Sequence, residues 1–139
     1  REHQMSMTFS QRVKQLRKDE DGFATLEALI WIPIFVFFLV FILDTTFIFF
    51  GKAQALRFIQ DGNRALSVGA LADEDATALQ IKTAISDYAP AATVKTEILN
   101  GMIISTTMTI PVSDLMIIGT IPVFKGTNVE ITATHFLEQ

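Results

Sequence analysis

Two carboxylates, Glu27 and Asp44, are the ionisable side chains of an otherwise apolar stretch, FATLEALIWIPIFVFFLVFILDTTFIFF, from Phe23 to Phe50. A carboxylate among apolar residues can pair with a donor, hold a proton or mark a docking point, and at membrane depth it calls for polar company. Thr45 and Thr46 follow Asp44 and offer hydroxyls. Two readings of Asp44 stand. It is a functional group within the span, or it lies at the outer interface and reaches lipid headgroups. At ~1.5 Å per residue it lies ~25 Å along from Glu27, which favours the interface. His3 and His135 are far apart in sequence and lack metal-ligand company. The acidic run Asp73, Glu74, Asp75 lacks the spaced ligands and glycine of a calcium loop and reads as a helix cap. No phosphate-binding or dinucleotide glycine pattern occurs, and the Ser and Thr residues near the C-terminus lie in strand-forming segments. Neither an enzyme nor a cofactor or metal is expected, and an interaction or scaffold role is the default.

The apolar stretch is long enough to cross a hydrocarbon core of ~30 Å. It is too long for the ~7–15-residue core of a secretory signal, and no small-residue cleavage site closes it, so it reads as an anchor that stays. Trp31 suits an interface near one end, and Pro33 removes one helical hydrogen bond. Arg12, Lys14, Arg17 and Lys18 precede the stretch, and Lys52, Arg57 and Arg64 follow it. This bias puts the N-terminus on the cytoplasmic side. The chain has 139 residues, a net charge of −4 and no cysteine. That composition excludes a disulfide scaffold and thiolate metal sites, and argues against nucleic acid as a partner.

Residues 1–22 read as a cytoplasmic leader, either a short surface helix or a flexible tail. Residues 23–50 are the transmembrane helix, 51–72 its continuation as a stalk, and 73–139 a small extracytoplasmic domain. Leu56, Ile59, Leu66 and Ala70 recur at helical spacing. A second helix is predicted from Ala76 to Tyr88, with Leu79, Ile81, Ile85 and Tyr88 available to bury. Beyond Ala92 the period changes to two, and Asn100-Gly101 separates two strand-like runs, the sign of a tight hairpin. Pro111 ends the return strand or marks an edge. An apolar loop, LMIIGTIPVF, precedes a last strand, NVEITATHF. The fold class is α+β: one long N-terminal transmembrane and stalk helix, a short helix, and a small antiparallel sheet of about three strands.

Three features together resemble the TadE/TadG family, pseudopilin-like proteins of tight-adherence secretion systems. The first is the junction Gly22-Phe23-Ala24-Thr25-Leu26-Glu27. In type IV pilins and their relatives a prepilin peptidase cuts after such a glycine, and a glutamate stands fifth in the mature chain, where Glu27 stands here. The second is the membrane helix with its early proline and small-residue stalk. The third is the C-terminal course of polar hairpin, apolar loop and Thr/Ala strand. Cysteines found near the end of some relatives are absent. The resemblance implies a minor pilin or assembly factor of a tight-adherence pilus in a bacterial inner membrane, N-terminus cytoplasmic and C-terminal domain periplasmic. Gly22 and Phe23 would be its processing site. If the leader is retained, Glu27 has no neighbouring Phe23 amino group to face. The chain would then be an accessory or stabilising single-pass subunit of an unrelated membrane complex. In either case lipid and other membrane proteins are the expected partners, by lateral helix packing, and a second copy is a further one. Glu27, Asp44 and Thr45 are the docking candidates within the span. Leu115, Ile117, Ile118 and Phe124 form a candidate partner loop just outside it.

Overall fold

The computed structural model describes residues 9–119 and 122–138. Helix α1 runs from Phe9 to Ser67, with Pro33 inside it. The junction Gly22-Phe23 and the residues before it from Phe9 onward therefore belong to the same helix as the apolar stretch. The chain divides into two compact units, one ending at Val40 and one beginning at Phe41. In the first, the large apolar side chains from Phe23 to Leu39 are exposed around the helix. Among the described residues, α1 holds the one helix long and apolar enough to cross a membrane.

The second unit is built on one face of α1. Asp44, Ile48, Gly51, Ala55, Ile59, Gly62, Asn63 and Leu66 are buried or half-buried in a three-four repeat, which keeps them on a single stripe. The helix ends where Gly69 takes a left-handed backbone, φ 75°. The Ala70 N–H then reaches back to the Ala65 carbonyl at 2.8 Å, closing the last turn. The stalk expected over residues 51–72 is therefore shorter: α1 ends at Ser67, and Gly69 stops it.

Asp73 instead caps the next helix, α2 (Glu74–Ile85), its side chain accepting from the Ala76 N–H at 2.8 Å. The buried face of α2 is Thr77, Ile81 and Ile85, spaced by four. Leu79, half a turn away, is 67% exposed, and Tyr88, past the end of the helix, is 55% exposed. Neither joins the core as expected.

Strands β1 (Thr93–Leu99), β2 (Ile103–Pro111) and β3 (Asn128–Phe136) form one antiparallel sheet in that order. Asn100 and Gly101 both have positive φ, 53° and 68°, as the tight hairpin requires. Along β2, Ile104, Thr106, Met108 and Ile110 point into the core. Met108 and Ile110 meet Ala55 and Ile59 of α1, Ile81 and Ile85 of α2, and Ile131 of β3 in one cluster. Pro111 closes β2 opposite Asn128. Between β2 and β3 the loop is not irregular throughout: it holds a single turn, α3 (Val112–Leu115), and a 3-10 turn, Pro122–Phe124.

Candidate interaction site

Asp44 opens the buried stripe of α1, and its side chain is 0% exposed. What covers it is the chain's own apolar loop. The Ile118 N–H donates to Asp44 Oδ1 at 3.2 Å. One turn earlier on α1, the Phe41 ring stacks on Phe124, centroids 6.0 Å apart and planes 17° from parallel. Two turns later, Leu115 lies over Gly51, where an added Cβ would come within 2.5 Å of Leu115 Cδ2. The loop is thus pinned to one helix face at three levels, by a hydrogen bond, a ring stack and a close approach that only glycine permits.

Of the residues predicted for a partner loop, Leu115 is buried and Phe124 half-buried, both against α1. Ile117 and Ile118 keep exposed surface, Ile117 at 63%. The Asp44 side chain does not point into open space, because the loop closes over it. Thr45 and Thr46 do not solvate it either. Their hydroxyls donate to carbonyls of their own helix, Phe41 at 2.7 Å and Ile42 at 2.8 Å, the usual bond of a helical threonine. Asp44 Oδ2 is buried and has no hydrogen-bond partner among the described residues. Glu27 and Phe23 are exposed on α1.

Beside the loop, Phe47, Phe50, Gln54, Tyr88, Leu115 and Ile117 line a cleft of about 300 Å³. Asp114 stands at its edge, its carboxylate accepting from the Ala91 N–H at 3.1 Å. At the far end of the stripe a polar chain ties helix to sheet. Asn63 Nδ2 donates to the Ala133 carbonyl at 3.1 Å, Thr106 Oγ1 donates to Asn63 Oδ1, and Thr96 and Thr106 share a bond of 2.9 Å. Ser67 Oγ donates to the Phe136 carbonyl at 3.0 Å and accepts from the Glu138 N–H at 3.2 Å. Buried polar groups with partners at both ends fix one register of helix on sheet.

His135 is half-buried on β3 opposite Ile104; His3 lies outside the described residues. Among the described residues no three His, Cys, Asp or Glu side chains gather into a metal-binding group. The sequence reading missed Phe41, Gly51 and Asn63. Their signal was the stripe itself, since all share the helix face that Asp44 begins. Compared with known protein families, with curated proteins and with solved structures, the chain matches none.

Proposed function

We propose that this chain is a non-enzymatic, single-pass membrane protein, a TadE-like minor pilin or assembly factor of a tight-adherence pilus. In this reading its N-terminal segment is cytoplasmic and its α+β headpiece periplasmic. The observation that carries it is the apolar surface of α1 between Phe23 and Leu39, exposed around the helix. A surface of that length and composition needs lipid or other apolar helices as its solvent. The junction from Gly22 to Glu27 adds the pilin-like resemblance. The headpiece supports a scaffold role: Asn63, Ser67, Thr96 and Thr106, four of its buried polar groups, are spent on holding sheet to helix.

Intact-mass measurement of the protein from native membranes tests the reading. A chain beginning at Phe23 is the expected result. A second reading has its own observation. Gly22 and Phe23 lie within α1, and a peptidase reads an extended chain, so cleavage there requires local unwinding. An intact leader, with copurification of a membrane complex unrelated to pili, would establish the chain as an accessory subunit of that complex. In both cases protease added outside the inner membrane should remove the headpiece; protection of the headpiece would reverse the orientation.

A further inference from the structure

We propose that the loop between α3 and β3 is a second membrane contact of this chain. Leu115–Gly119 and Pro122–Phe124 sit in the acyl-chain boundary of the leaflet on the headpiece side, with lipid hydrocarbon against Ile117 and Ile118. The inference rests on the reading of α1 as a membrane span.

Depth is the first argument. The loop is fixed to α1 at Gly51, Asp44 and Phe41 by Leu115, Ile118 and Phe124 respectively. It therefore runs back along roughly 15 Å of helix, toward the span and away from the sheet. The apolar run of α1 continues to Phe50, and Lys52 is its first cation. A loop bonded at Asp44 lies alongside that run, not beyond its end. Elements that lie in the interface are immersed by about 5–10 Å, a depth this loop reaches without further motion.

Composition is the second argument. No charged residue occurs between Asp114 and Lys125. Ile117 and Ile118 are exposed, and so are Phe47, Phe49 and Phe50 of α1 at the same level. The apolar surface of the loop is continuous with that of the span through the shared cleft of Phe47, Phe50 and Ile117. Its occupant is accordingly the hydrocarbon that bathes the span.

The third argument is the backbone. Irregular chain at lipid depth persists only where its polar groups find partners. Here the Ile118 N–H has Asp44. Pro122 has no N–H, and its carbonyl and that of Phe124 accept from Lys125 and Thr127 at 3.1 and 3.3 Å. On this account Asp44 stands in an apolar run because a loop donor needs an acceptor there, and the loop in turn shields the carboxylate from lipid.

The chain has no cysteine, so single substitutions give unique labelling sites. Ile117→Cys, Phe35→Cys and Leu79→Cys replace exposed side chains. Each full-length variant would carry a nitroxide, one copy per nanodisc of phosphatidylcholine and phosphatidylglycerol. Its collision rates with oxygen and with a water-soluble nickel chelate would then be compared. The expected result is a several-fold higher oxygen-to-nickel ratio at positions 117 and 35 than at 79. If 35 is lipid-like and 117 matches 79, the loop is in water and the inference fails while the span stands. If 35 also matches 79, the span fails and the inference with it. Shielding of position 117 that appears only with two copies in one disc overturns lipid as the occupant in favour of a second copy.

Discussion

The Asp44 carboxyl is a buried acceptor that gains one bond and leaves one oxygen unpartnered among the described residues. Removing it strands the Ile118 N–H, a part-buried donor, and an orphaned donor costs up to about 1–3 kcal/mol. Asp44→Leu should therefore destabilise the headpiece by that amount in mild detergent, measured by chemical denaturation. Hydrogen exchange at Ile118 should rise in parallel. Asp44→Asn keeps an acceptor oxygen and should lose less, so equal losses in the two variants would show that the bond to Ile118 is not what Asp44 contributes. The same logic separates Asp44 from Glu27. Both are carboxylates of the apolar stretch, but Glu27 is exposed on α1, and its environment is set by what surrounds the helix, not by the chain itself.

At the scale of elements, close approach decides the packing. A Cβ at Gly62 would fall 2.6 Å from Ile81 Cδ1, so α2 crosses α1 where glycine leaves room. Gly62→Ala should cost about 1–3 kcal/mol by overpacking. Adding Ile81→Val should recover part of that loss, and a double-mutant cycle reads the coupling. Additive losses would mean the two helices shift apart freely. In the hairpin, Gly101 has φ 68° with open space around it. Gly101→Val meets no neighbour there but forces a β-branched residue into a left-handed backbone, a cost of about 1–2 kcal/mol. An unchanged melting temperature would mean the turn rearranges without penalty. These elements were legible because their signals are local. Asn100-Gly101 and the alternation on either side specify a hairpin within a few residues, and β3 has the bounds its sequence suggests. Leu79 and Tyr88 were misjudged because apolar character alone does not choose a helix face. Thr77, small and able to bond its hydroxyl to the Asp73 carbonyl, takes the place on the buried face beside Ile81. The cover over Asp44 was not legible at all, because its donor lies 74 residues further along the chain and an apolar loop does not name the surface it will seek.

For the whole molecule, composition suggests a boundary at Gly51, where the apolar run gives way to Lys52. Contacts place it elsewhere: the unit that contains the sheet begins at Phe41. Phe41 and Asp44 hold the loop, and Ile48 packs against the core beside Leu56 and Phe58. The last turns of the apolar run are thus a structural part of the headpiece, and a domain cut at the edge of the hydrophobic stretch would lose its base. This predicts an ordering of two fragments. A chain beginning at Phe41 and one beginning at Lys52, compared in the same mild detergent, should differ in stability by about 1–3 kcal/mol in favour of the longer. That range is the sum expected for a ring stack and one hydrogen bond of ordinary strength. The shorter fragment should also lose exchange protection at Ile118 while keeping it along β2, since the Asn63–Thr106–Thr96 chain is intact in both. If the two fragments melt together, the contacts at Phe41 and Asp44 add nothing to the fold. If the shorter one fails to form the sheet, the base of the helix is required for folding and not only for seating the loop. Either result shows what the last apolar turns of α1 contribute to the frame on which the sheet is assembled.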